Sequence, residues 1–198
     1  MSTVERAPSV RRATPEDAPA LVTLVESAYR GERSRRGWTT EADLLDGQRV
    51  DLAMMRSLLA DPDVVVLVAA TDPPPNDPPA PSEQGGAELV GCCEVRRVGT
   101  TEAAFGMFAV DPDRQGAGVG DQLLGAAEQL AATELRARRM TMSVIDTRHE
   151  LLAWYERRGY RRTDEHRPFP YGDERFGRPR RDDLRFEVLD KQLGAAPT

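Results

Sequence analysis

Gly116, Gly118 and Gly120 stand two residues apart in AVDPDRQGAGVGDQLL (109–124), after an apolar run and before a helical pattern. Such a loop turns its main-chain N–H groups toward one point. The helix it opens adds the unpaired N–H groups and partial positive charge of its first turn. The chemistry offered is anion binding. A triphosphate loop, G-x-x-x-x-G-K-S/T, needs a lysine, and the only lysine of the chain is Lys191. A dinucleotide fingerprint needs G-x-G-x-x-G; the spacing here is one residue short, and it lies mid-chain after several strand-like runs. The third candidate is the diphosphate of coenzyme A. A tight strand-to-helix turn with no ligand is the plain alternative.

Gln115-Gly116-Ala117-Gly118-Val119-Gly120 fits the pattern R/Q-x-x-G-x-G/A. After a strand and opening a helix, that pattern resembles motif A of the GNAT superfamily of acyl-CoA-dependent N-acyltransferases. A second stretch, LLAWYERRGY (151–160), is similar to the tyrosine-containing signature one strand further on in the same family. The resemblance implies that Gln115, Gly116, Ala117, Gly118, Val119, Gly120 and Asp121 surround the cofactor diphosphate through their main chain. Like-charge repulsion should turn the Asp121 side chain away. It also implies that the strand carrying Phe108, Ala109 and Val110 runs along the pantetheine arm, with the Val110 N–H meeting the thioester oxyanion. Transfer would be direct, in a ternary complex.

By the same resemblance, Tyr155 is the acid that faces the departing thiolate. A phenol has a pKa of about 10, so it stays protonated and can donate a hydrogen bond or proton as the thiolate leaves; aromatic packing is the alternative reading. An asparagine often stands seven residues before this tyrosine in the family, and Arg148 holds that place here. Its guanidinium suits a cofactor phosphate, and a solvated arginine at a helix start is equally consistent.

Glu94 is the candidate base, because a carboxylate inside a strand is costly unless it faces a wet cleft or a partner. An ion pair with Arg96 or Arg97 is the competing reading. His149 and His166 titrate in a useful range and rank below Glu94. Trp38, Glu41 and Asp43 offer an aromatic face and carboxylates suited to a cationic acceptor, although Thr40 and Asp43 could equally form a capping box. The 166–183 loop is the other candidate acceptor-site segment. Cys92 and Cys93 are adjacent, cannot form an ordinary disulfide with each other, and read as buried reduced thiols. No metal is expected.

The elements that would position these residues follow from periodicity and punctuation. Strands are expected at 9–14, 63–71, 87–98, 103–110, 139–145, 160–165 and 183–191. Helices are expected at 14–31, 51–62, 118–137 and 148–159. The Pro/Gly-rich stretch 72–86 reads as a flexible hairpin insertion. The order β-α-α-β-β-β-α-β-α-β-β is that of the GNAT fold. The expectation is a mixed α/β (α+β) single domain over 1–198, with its core at about 9–191 and a mostly antiparallel central sheet flanked by helices.

The chain has 198 residues, 30% of them charged, and a net charge of −6. That speaks against a nucleic-acid footprint. The longest strongly apolar run, VVVLVAA (64–70), is far too short to span a bilayer, and the start carries no signal-like segment. A cytoplasmic monomer or homodimer is expected, without nucleic-acid or membrane partners. The leading reading is an acetyltransferase that uses acetyl-CoA to acetylate a primary amine of a small molecule, peptide or protein. The alternative is a non-catalytic acyl-CoA-binding sensor or regulatory module.

Overall fold

Apolar side chains alternate or run together in the central strand-forming stretches, which are buried by pairing edge to edge under helices, while the edge strands Ser9–Arg12 and Arg161–Pro168 are polar and mostly exposed. The computed structural model describes residues 8–37, 40–71, 88–173 and 177–194. In chain order the elements are β1 (Ser9–Arg12), a 3-10 turn (Pro15–Asp17), α1 (Ala18–Tyr29), α2 (Gly31–Ser34), β2 (Leu45–Asp46) and α3 (Leu52–Ala60). Then come β3 (Val64–Thr71), β4 (Glu88–Val98), β5 (Glu102–Val110), a second 3-10 turn (Pro112–Arg114) and α4 (Val119–Thr133). They are followed by β6 (Arg139–Ile145), α5 (His149–Glu156), β7 (Arg161–Pro168), β8 (Arg178–Pro179) and β9 (Arg185–Gln192). The insertion expected at 72–86 and Trp38 lie outside the described residues.

The main sheet has seven strands in the order β1-β3-β4-β5-β6-β9-β7. Among the described residues only β5 and β6 run parallel; α4 makes the crossover between them, as a parallel pair requires. This is the mixed, mostly antiparallel α/β sheet of the GNAT fold. The β5–β6 ladder extends only from Glu102↔Arg139 to Phe105↔Met142. Beyond it, β5 stays paired with β4 as far as Gly91↔Val110, and β6 stays paired with β9 as far as Ile145↔Phe186. The two parallel strands therefore diverge, and the wedge between them opens toward the loop that follows Val110.

Helices cover both faces. Leu123, Ala127, Leu152 and Tyr155 bury against Cys93, Phe105 and Met142 on one side. Leu21, Val25 and Met55 bury against Val66, Val68, Cys92 and Ala109 on the other. The adjacent cysteines point to opposite faces because side chains alternate along a strand. Gly91 lets α4 sit close, since a Cβ there would lie 2.8 Å from Leu123 Cδ1.

Several boundaries differ from expectation. The first helix is split, with a 3-10 turn before α1; the Thr14 N–H donates to Asp17 Oδ2 at 2.7 Å and holds that turn. α4 stops at Thr133, short of 137, because Arg136 takes a left-handed conformation (φ 55°). The first strand is shorter than expected, and β7 extends to Pro168. Two-residue β2 and β8 pair with each other. They tie together the 37–47 and 166–183 stretches, which the sequence presents as separate irregular loops. Among the described residues, no helix is long and apolar enough to cross a membrane.

Candidate active site

The end of β5, the glycine loop, the start of α4 and the outer face of α5 enclose a cleft of about 600 Å³. The three glycines serve two purposes. Gly116 (φ 86°) and Gly118 (φ 82°) lie in the left-handed region, where a side chain is strained. Gly118 is the residue that caps α4. At both positions a Cβ would meet no atom within 4 Å, so their freedom of conformation is what the loop uses. Gly120 is different: a Cβ there would lie 3.1 Å from Phe108 Cζ and 3.5 Å from Trp154 Cζ2. It is small because two aromatic rings pack over it.

Phe108, Val110, Gln115, Gly116, Gly118, Gly120 and Asp121 line the cleft, together with Trp154 of α5 and Arg158 of the turn that follows it. Ala109 and Val119 turn their side chains into the core and offer only main chain, while Ala117 is exposed at the loop's tip. Asp121 does not simply turn away. Its carboxylate lines the cleft and is paired with Arg158, whose guanidinium lies 3.5 Å from the centre of the Trp154 ring. Arg114 and Arg157 also border the cleft. With Arg158, these cations outweigh the two carboxylates there, Asp121 and Glu150, which suits an anionic ligand.

Main-chain direction follows from the ladder. The Asp111 N–H donates to Val90 of β4 at 2.9 Å. Strand alternation then aims the Val110 N–H at the opposite edge, into the wedge between β5 and β6. The Val110 carbonyl accepts from Gln115 Nε2 at 3.4 Å. Phe108 is also off the β4 ladder at its carbonyl, which accepts from the Tyr29 hydroxyl at 2.5 Å.

Tyr155 is 3% exposed and stands edge-on to Phe105, Trp154 and Tyr160, with Phe108 6.2 Å away between ring centres. Burial raises its phenol well above the ordinary value; the neighbouring Tyr29 adds to this, and Arg148 opposes it. Its hydroxyl is thus kept as a proton donor at any working pH.

Glu94 accepts a hydrogen bond from Arg96 Nε at 3.0 Å, and Arg96 in turn bonds Asp61. The competing ion-pair reading of Glu94 is therefore realised through one oxygen. The other, Oε2, faces Gly106, the first β5 residue beyond the β5–β6 ladder.

Arg148 does not border the cleft. It is held by Glu41 at 3.0 Å, and Arg30 holds the other carboxylate oxygen at 2.9 Å. Burial alone would raise the Glu41 pKa; Arg148, Arg49 and Arg30 outweigh it and hold the carboxyl below its usual range. Glu41 is thus committed to guanidinium partners and does not face an acceptor cation. Asp43 pairs with Arg35, while Thr40 Oγ1 accepts from the Ala42 N–H, so the Thr40–Asp43 capping box is not formed. His149 and His166 are exposed. Both cysteines are buried, and burial pushes the Cys92 thiol up to about 12.

Tyr29, Trp154 and Arg158 are site residues that the sequence reading passed over. A periodic signal marked each of them. Tyr29 follows Val25 by four on the buried face of α1. Trp154, on α5 beside the buried Leu151, Leu152 and Tyr155 stripe, and Arg158, in the turn just after it, lie four apart.

Residues 64–162 match the acetyltransferase (GNAT) domain family model, half of the chain. The fold is similar to that of the ribosomal-protein-S18-alanine N-acetyltransferase from Escherichia coli (15% identity, 96% of each chain covered, TM-score 0.63). It is also similar to nourseothricin acetyltransferase (19% identity, 96% of this chain and 100% of that one, TM-score 0.63). A third such structure is Ard1 from Thermoplasma volcanium (17% identity, 96% and 99%, TM-score 0.66). No curated protein matches the chain. The chain belongs to the GNAT acetyltransferases, a family of acyl-CoA-dependent N-acetyltransferases.

Proposed function

We propose that this chain, acting as a single catalytic domain, transfers the acetyl group of acetyl-CoA directly to a primary amine of a small molecule, peptide or protein. The observation that carries the proposal is the convergence of three parts on one cleft. These are the left-handed Gly116–Gly118 turn at the start of α4, the open edge of β5 at Val110, and the α5 wall of Ala153 and Trp154; Tyr155, on the same helix, is buried against Phe108 and Trp154 and does not itself border the cleft. Acetyl-CoA fits the residues present. Main-chain N–H groups from 116 to 121 suit its diphosphate, Arg114 and Arg157 add positive charge, and Asp121 is already neutralised by Arg158.

When bound, acetyl-CoA supplies a thioester carbonyl open to attack by the amine. Val110 donates its main-chain N–H to the carbonyl oxygen as negative charge develops there. Glu94 takes the proton released by the amine, directly or through water, using the oxygen that Arg96 leaves free. Tyr155 donates its hydroxyl hydrogen bond or proton to the sulfur as the C–S bond breaks, and any proton it gives is restored from the one Glu94 took from the amine, through water, so that overall one proton passes from amine to sulfur. Arg148 is not assigned to the cofactor, because Glu41 engages it away from the cleft.

The test is free-thiol release from acetyl-CoA across a panel of amines, peptides and protein N-termini. Amine-dependent release is expected. Tight acetyl-CoA binding without release for any acceptor would instead favour the sensor alternative.

A further inference from the structure

At Met107 the backbone of β5 leaves regular geometry. Across the β4–β5 pair, Cys92 faces Ala109 and Glu94 faces Gly106. Met107 and Phe108 together therefore oppose Cys93 alone, which is a bulge. Met107 has φ 42°, a left-handed conformation that a residue with a side chain rarely adopts. Such a conformation persists only where its surroundings over-determine it, and bulges of this kind re-aim groups beside active sites.

The Met107 carbonyl lies 3.7 Å from Cys92 Sγ. One residue on, the Phe108 carbonyl accepts from the hydroxyl of Tyr29, the last residue of α1, at 2.5 Å. The peptide groups on both sides of Phe108 are thus held from the α1 face of the sheet. Tyr29 is itself fixed. Its ring is buried, and the guanidiniums of Arg49 and Arg148 lie 5.5 and 5.8 Å from the ring centre. Its carbonyl accepts from the Glu41 N–H at 3.2 Å and from Arg30 at 3.3 Å. Glu41 ties Arg30 and Arg148 together beneath it.

We propose that Tyr29 is a positioning residue for acetyl transfer: its hydroxyl locks the bulged Phe108 peptide so that the main-chain N–H of Val110 stays aimed into the wedge between β5 and β6. The proposal rests on the acetyl-transfer reading above. Tyr29 reaches this segment across 79 residues of sequence, and it touches the reaction only through the backbone. Burial, the largest influence on its phenol, pushes it up to about 12, so the hydroxyl remains a donor throughout the working range.

Tyr29→Phe keeps the ring, its packing and the guanidinium contacts, and removes only the hydroxyl. Its kcat should fall by about tenfold or more, on the scale of losing donor alignment to a developing oxyanion. The dissociation constant for acetyl-CoA and the KM for the amine should stay within about threefold. The shape of the pH–rate profile should not change, because Tyr29 moves no proton. In the acetyl-CoA complex, amide hydrogen exchange at Phe108 and Val110 should quicken while the α1 amides keep the parent's rates. A kcat within twofold of the parent would overturn the proposal, as would a parallel loss of acetyl-CoA affinity or unchanged exchange at Phe108 and Val110. If the parent acetylates no amine at all, the acetyl-transfer reading fails on its own account, and the exchange measurement still decides whether Tyr29 holds the bulge.

Discussion

Glu41 and Arg148 stand 107 residues apart in the sequence and 3.0 Å apart in space. With Arg30 on the other carboxylate oxygen, they form a buried chain of charge that joins the segment after α2 to the start of α5. Removing one member of such a chain leaves buried charge without a counterion. Glu41→Gln should therefore destabilise the protein by about 3–5 kcal/mol, measured by urea unfolding at neutral pH. Arg35→Gln, which loses exposed pairs with Asp43 and Glu32, should cost under about 1 kcal/mol.

The same carboxylate makes a pH prediction. The folded-state pKa of Glu41 is held below its ordinary 4.5. Its contribution to stability is then complete above that value and is lost as pH falls through the folded pKa. Stability of the parent should drop on acidification below 4.5, and the drop should be shallower in Glu41→Gln. Identical acid limbs for the two proteins would show that Glu41 is not the linked group.

Gly118 and Gly120 separate conformation from packing. Gly118→Val places a branched side chain at φ 82° with open space around it, so the penalty falls on the loop and the fold should survive. Acetyl-CoA affinity should drop by about tenfold or more as the N–H groups lose their common aim. Gly120→Ala must push the Phe108 ring, whose Cζ would lie 3.1 Å from the new carbon, and should cost stability as well as affinity. Isothermal titration paired with thermal melting distinguishes the two patterns.

Cys92 and Cys93 are buried, and burial raises both thiols, Cys93 well above its ordinary value. Neither should react with a thiol reagent in the native protein at pH 8, and both should react after unfolding. Rapid native labelling would show that the sheet opens locally at β4.

The main architecture was legible because it is written in local patterns. The strand-loop-helix around Gly116–Gly120 carries an apolar run, a proline stop and a helical stripe, all within a short window. The Tyr155 signature likewise lies on one helix. What escaped the sequence reading depends on contacts between distant segments. β2 and β8 are two residues each and exist only because they pair. Glu41 looks like an exposed carboxylate until Arg30 and Arg148 are brought to it. The Met107 bulge leaves no mark in residue type, since a methionine gives no hint of a left-handed backbone. Asp121 read as a charge that must turn away, because its neutralising partner, Arg158, is supplied by the distant turn after α5.

The pH dependence of turnover reports on Tyr155. Because burial raises its phenol well above 10, the hydroxyl stays protonated through the accessible range. The kcat profile of the parent should therefore show no alkaline fall from this group below pH 10. Glu94→Gln should lower kcat by about 10²-fold or more if the free oxygen accepts the amine's proton. An unchanged rate would leave Glu94 as only the partner of Arg96.

The most direct test of the account is Tyr155→Phe, which keeps the ring among Phe105, Phe108, Trp154 and Tyr160 and removes only the hydroxyl. Steady-state kinetics with an accepted amine would be measured beside an acetyl-CoA titration. If Tyr155 supplies the proton to the departing sulfur, kcat should fall by about 10²–10⁴, while acetyl-CoA affinity stays within about threefold because the cradle and the β5 edge remain. Turnover of the variant within about threefold of the parent would contradict the account, leaving Tyr155 as an aromatic packing residue and the sulfur to leave without it.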